Sequence, residues 1–102
     1  STPDFAAAAR GKNLYFVRRR PSCSIWRTSN GYEVEFVIDD GHTLLPIQGK
    51  TTTQPSTSDL ASMNVFLDEY ADRATVGVLL YAGAQPFWIA KNVLAAPWWM
   101  VL

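Results

Sequence analysis

Cysteine is nearly missing from this chain, with Cys23 its sole representative. That excludes an internal disulfide and leaves no thiol cluster for zinc. Histidine is equally scarce, and Cys23, His42 and the serines form no recognisable nucleophilic triad. There is no Gly-rich loop followed by Lys and Ser or Thr, which excludes triphosphate binding of the P-loop kind. No stretch approaches the roughly 20 apolar residues that span a bilayer, and the start lacks the charged-then-apolar pattern of a secretory signal. The expectation is therefore a cytoplasmic protein with no membrane partner. Charge of one sign is not in excess either. Nine basic side chains balance nine acidic ones, so binding to nucleic acid would depend on local clustering. No internal repeat is present, and the only low-complexity run is the Thr/Ser/Gln/Pro segment from Thr51 to Ser58.

What is there suits one compact domain over residues 1–102. With 48% hydrophobic residues and four tryptophans in 102 residues, one core can form but not two. The charges are unevenly spread: Arg10, Lys12, Arg18, Arg19, Arg20 and Arg27 come early, Asp59, Asp68, Glu69 and Asp72 later.

The stretch from Tyr32 to Thr53 organises the chain. It reads as two adjacent strands, Tyr32 to Ile38 and Thr43 to Lys50, joined by the turn Asp39-Asp40-Gly41-His42. Alternation separates Glu33, Glu35 and Val37 from Val34, Phe36 and Ile38 in the first strand. In the second it separates Leu44, Pro46, Gln48 and Lys50 from Leu45 and Ile47. If Val34, Phe36, Ile38, Leu45 and Ile47 share a core, then Glu35, Gln48 and Lys50 emerge together on the opposite side. That trio is the one polar constellation that looks like a site.

Around it, Thr2-Pro3-Asp4 and the alanine run suggest a first helix, which Lys12 to Arg20 continue or restart before Pro21. A strand over Asn13 to Arg19 is the alternative, because Leu14-Tyr15-Phe16-Val17 is also good strand material. Cys23 to Lys50 reads as a three-stranded meander, with a turn at Ser29-Asn30-Gly31. Thr51 to Thr57 should cross the surface. Ser58-Asp59 then start a helix whose stripe Leu60, Met63, Phe66, Leu67 and Tyr70 is core. Thr75 to Tyr81 is apolar on both faces, the mark of a central or parallel strand. Pro86 to Ile89, Asn92 to Leu94 and Trp98 to Met100 follow as short terminal segments. The fold class is α/β, a mixed sheet flanked by helices in the order α-β-β-β-α-β with short terminal strands.

This order, with an acidic residue in the second strand and a lysine closing the third, resembles the PD-(D/E)xK, or restriction-endonuclease-like, superfamily. More narrowly, Trp26-Arg27-Thr28, Tyr32 to Val37, Leu45-Pro46-Ile47-Gln48-Gly49-Lys50, Ser58-Asp59-Leu60 and Pro97-Trp98-Trp99 resemble the uncharacterised C-terminal domain of predicted bacterial and archaeal AAA-type ATPases. In that family the corresponding stretches read WR-(s/t)-x-x-G-x-EVDF and LLPIEVK. The resemblance implies an excised or stand-alone part of a larger ATPase, with its own ATPase domain, another protein or DNA as partner.

The resemblance also implies roles. In active members the strand acid and the motif acid hold a divalent metal, and the lysine orients or activates water. Carried over, Glu35 stands for an Asp, Gln48 for a Glu and Lys50 for the Lys; Gly49 replaces a β-branched residue. Glu35, Gln48 and Lys50 are thus the candidate catalytic residues, and Glu35 and Gln48 the candidate ligands of Mg²⁺ or Mn²⁺. The first helix carries Lys12-Asn13 and Phe16-Val17 where the family shows Glu-Asn and Glu-Leu. With Gln48 uncharged and the helix acids gone, the catalytic set is degenerate and a dication should be held weakly.

Simpler readings stand beside these. Glu35 and Lys50 can be a cross-strand ion pair, worth up to about 1 kcal/mol. Arg18, Arg19 and Arg20 suit a helix C-terminus; with Arg27 they are also the candidate nucleic-acid contacts. The expected function is a non-catalytic nuclease-like accessory domain of an ATPase, with DNA as a candidate contact. The alternatives are a working metal-dependent deoxyribonuclease and a homo-oligomerisation domain that uses Trp98 to Leu102.

Overall fold

The computed structural model describes residues 14–20, through their backbone alone, and residues 23–100. Its elements are strands β1 (Leu14–Arg20), β2 (Cys23–Thr28), β3 (Glu33–Asp39) and β4 (Leu44–Gly49), helix α1 (Ala61–Glu69), and strands β5 (Gly77–Tyr81), β6 (Phe87–Ala90) and β7 (Val93–Pro97). Single 3₁₀ turns precede α1, at Thr57–Leu60, and follow β7, at Trp98–Met100. The strands form one mixed sheet in the order β1-β2-β3-β4-β5-β7-β6. The meander β2-β3-β4 is antiparallel, as its turn residues foretell. β5 runs parallel to both β4 and β7, so it is central. This matches its two-sided apolar sequence.

One expected element is different. Residues 14–20 do not continue a first helix; they form β1, antiparallel to β2 from Leu14 opposite Thr28 to Arg20 opposite Cys23. The aromatic and branched run Leu14-Tyr15-Phe16-Val17 is poor helix material, and the open edge of β2 offers it a ladder of backbone hydrogen bonds. Pro3 to Asn13, the earlier part of the expected helix, lie outside the described residues.

The connection from β4 to β5 shapes the core. Its polar start, Thr51 to Thr57, runs largely exposed over the surface. Ser56 and Asp59 then close a reciprocal capping box, in which Asp59 Oδ2 accepts the Ser56 N–H at 2.9 Å. The expected stripe follows: Leu60, Met63, Phe66 and Leu67 are buried, and Tyr70 packs at the rim. Each fully buried side chain contributes about 1.5–3 kcal/mol. They meet Trp26, Val34, Val37, Leu44, Leu79 and Val93 from the sheet. Gly77 lets the helix come close, since a Cβ there would run into Met63 Sδ.

Two turns pin the meander. Gly31 and Gly41 take φ values of 102° and 94°, the left-handed region that favours glycine. In the second turn, Asp40 Oδ1 accepts the N–H groups of His42 at 2.9 Å and Thr43 at 2.7 Å, while Oδ2 accepts the Thr43 hydroxyl. These bonds, that from the Thr43 N–H first, lower the carboxyl pKa from 3.8 to about 2. A carboxyl depressed in the folded state adds stability above its unfolded value and loses it as pH falls through the folded one. Acid titration by circular dichroism should therefore show a stability component that fades from about pH 4 to about pH 2. Asp40→Asn should lack that component.

Candidate functional site

The site lies where β3 and β4 run beneath the start of α1. The β3-β4 ladder pairs Asp39 with Leu44, Val37 with Pro46 and Phe36 with Ile47. One step further it sets Glu35 opposite Gln48, and directly opposed residues share a face. Extended in this way, the ladder puts Glu35 and Gln48 on one side of the sheet, and Lys50, half-buried just past the end of β4, follows Gln48 by the same alternation.

That side is nevertheless the opposite of the one expected. Leu44, Pro46 and Gln48 are buried under α1, whereas Phe36 and Ile38 are 49% and 42% exposed on the other face. α1 covers the side of Leu44, Pro46 and Gln48, and a bulge in β3 adds Val34 to it. Its pairing with β2 steps from Ser24 opposite Val37 to Trp26 opposite Val34, three residues against two. Val34 and Val37 thereby both reach the core, which simple alternation forbids. Val34, Phe36, Ile38, Leu45 and Ile47 do not share a core, and Glu35 and Gln48 lie at the core's edge.

Burial changes what these two residues can do. Gln48 is only 6% exposed, and its Nε2 donates to the Glu33 carbonyl at 3.4 Å. Its Oε1, and Oε2 of Glu35, are buried with no hydrogen-bond partner. Each buried acceptor left so costs about 1–3 kcal/mol, the usual sign of a place where a donor or cation belongs. The donor set does not suit Mg²⁺ or Mn²⁺, however. One carboxylate and one amide oxygen bring a single negative charge to an ion that prefers six oxygens and more anionic help. Among the described residues no three His, Cys, Asp or Glu side chains gather to hold a metal.

The expected Glu35–Lys50 ion pair does not form. The salt bridges among the described residues include Arg27–Glu33, at 3.6 Å, and Arg73–Asp39, at 3.1 Å. Arg27, a candidate nucleic-acid contact, is thus half-exposed and paired with the carboxylate opposite it on β3. Arg18, Arg19 and Arg20 end an edge strand, so their explanation by a helix dipole falls away; their side chains lie outside the described residues. His42 is exposed in its turn, where its carbonyl accepts from Arg73 Nε at 3.5 Å.

One residue beside the site went unrecognised in the sequence. Trp98 lays its indole across Gly49 and donates from Nε1 to the Lys50 carbonyl at 3.2 Å. It holds the backbone of the residue that the endonuclease resemblance makes central. The signal was present in the sequence: a glycine where a branched residue is usual, in a chain that ends in paired tryptophans.

Among the described residues no helix is long and apolar enough to cross a membrane. No curated protein and no solved structure matches the chain. A family described as a domain of unknown function (DUF4143) matches residues 5–101. With nearly its whole length inside that match, the chain belongs to the DUF4143 family.

Proposed function

We propose that this domain is a nuclease-like scaffold that has given up cleavage and serves as an interaction module, the accessory domain of an ATPase. One observation carries the reading. At the β3-β4 position where phosphodiester cleavage would need two acids to hold a metal, the chain presents Glu35 beside an amide, Gln48, whose free oxygen is sealed beneath α1. Such a pair lacks the charge to fix a dication and generate a nucleophilic water. The parallel pairing of β4 and β5 through α1 is the topology that endonuclease-like scaffolds require, and it supports that part of the reading.

DNA contact is the weaker component. Arg27 is already neutralised by Glu33, so a phosphate contact would fall to Arg18, Arg19 and Arg20 and weaken steeply with salt.

Plasmid nicking in Mg²⁺ or Mn²⁺ tests the proposal. The wild type should leave the plasmid supercoiled, and titration calorimetry should detect no Mn²⁺ binding in the micromolar range. Gln48→Glu restores the second carboxylate and should tighten Mn²⁺ binding about tenfold or more. Wild-type nicking that disappears in Lys50→Ala would establish an active nuclease instead.

A further inference from the structure

We infer that the sheet face turned away from α1 is where two copies of this chain associate. The inference stands apart from the question of cleavage, because it concerns the opposite side of the sheet.

Following the strand pairings across the sheet reveals one continuous row. Phe36 pairs with Ile47, Ile47 with Val78, Val78 with Leu94, and Leu94 with Trp88. Five strands thus contribute five apolar side chains, spread over about 19 Å at the usual strand spacing. The two ends stand proud, with Phe36 49% and Trp88 61% exposed. A second row begins with Ile38 beside Leu45. A third, Gly49, Leu80 and Ala96, is closed over at Gly49 by Trp98. Among the described residues no charged or hydrogen-bonding side chain interrupts these rows, and the backbone beneath is engaged in the ladders. The charged pair Arg27–Glu33 lies beyond the end of these rows, with Glu33 at the start of β3 and Arg27 on β2.

Rows without charge gain nothing from an anionic partner such as nucleic acid or an acidic peptide. Its complement is another flat, uncharged apolar surface. The row itself supplies one, because it reads alike from both ends: ring, branched aliphatic, valine, branched aliphatic, ring. β5 is the middle of the five strands. A two-fold axis along β5 therefore sets Phe36 of one copy against Trp88 of the other, Ile47 against Leu94, and Val78 against itself. That is an isologous contact between sheets packed about 10 Å apart. A net charge of zero adds no repulsion between copies. With few of these side chains exposed, the rows fall short of the roughly 800 Å² per partner of a standard interface, so the dimer should be weak and micromolar.

Sedimentation equilibrium of the 102-residue chain from about 5 to 200 µM tests this. The wild type should shift from monomer to dimer across that range. Trp88→Glu and Phe36→Lys, each at an exposed position, should weaken association at least about tenfold while leaving the far-ultraviolet circular dichroism unchanged. Mixed together, the two variants should associate again, because the two-fold places the introduced lysine opposite the introduced glutamate. A wild type monomeric at the highest concentration overturns the proposal, and its adsorption to uncharged phosphatidylcholine vesicles would assign the face to a lipid surface instead. A dimer indifferent to both substitutions, or variants that fail to recombine, also overturns it.

Discussion

Trp26→Ala should remove a large part of the stability of the fold. Trp26 is completely buried, its ring standing edge-on to Phe66 with centroids 5.1 Å apart and an interplanar angle of 87°. Its Nε1 donates to the Tyr70 hydroxyl at 3.2 Å. Truncating such a side chain loses its transfer free energy and leaves a cavity, a cost of about 3–5 kcal/mol. A domain this size has only about 5–15 kcal/mol in total. Urea denaturation followed by circular dichroism measures the loss. Trp26→Phe keeps a ring against Phe66 but removes the bond to Tyr70 and part of the buried volume, at a cost of about 1 kcal/mol for the bond plus that of the lost volume. A Trp26→Ala penalty below about 1 kcal/mol would mean that the helix does not rest on this residue.

Gly49→Val is the second large effect. A Cβ at Gly49 would lie 2.6 Å from both Cη2 and Cζ2 of Trp98, far inside contact distance. The obstacle is the body of an indole fixed at its nitrogen by the Lys50 carbonyl, so it cannot swing aside as a lysine tip would. Overpacking of this kind costs about 1–3 kcal/mol, roughly 4–8 °C in Tm for each kcal/mol in a domain of this size. In a Trp98→Ala background the same substitution should cost little, because the clash is gone. The double-mutant cycle measures that coupling directly. Strictly additive penalties would show that Trp98 does not occupy the space above Gly49.

These two sites show how differently parts of the chain could be read. The helix stripe was plain, since Leu60, Met63, Phe66 and Leu67 recur at three- and four-residue spacing within one segment, although the cap closes at Ser56 and Asp59 rather than at Ser58-Asp59. The meander was plain for the same reason, its turn residues Gly31 and Gly41 needing a backbone that few other residues adopt. The β1 strand was ambiguous, because a run such as Leu14-Tyr15-Phe16-Val17 takes the form its neighbour offers. At the site, alternation puts Glu35 and Gln48 on one side of the sheet. It could not see the bulge that turned Val34 and Val37 to the same face, nor the missing Glu35–Lys50 ion pair, because each arises from pairing with another strand or from three-dimensional distance.

By itself the sequence determined an α/β chain with one compact core, an antiparallel meander, a capped amphipathic helix and a central parallel strand, all written in spacings of a few residues. Only the tertiary structure decided which side of the sheet is buried. Period-two patterns are symmetric about the sheet plane, and here both sides of β3 and β4 carry apolar residues. The landing of α1 broke that symmetry, sealing the amide of Gln48 inside and leaving Phe36, Ile38 and Trp88 on the open face.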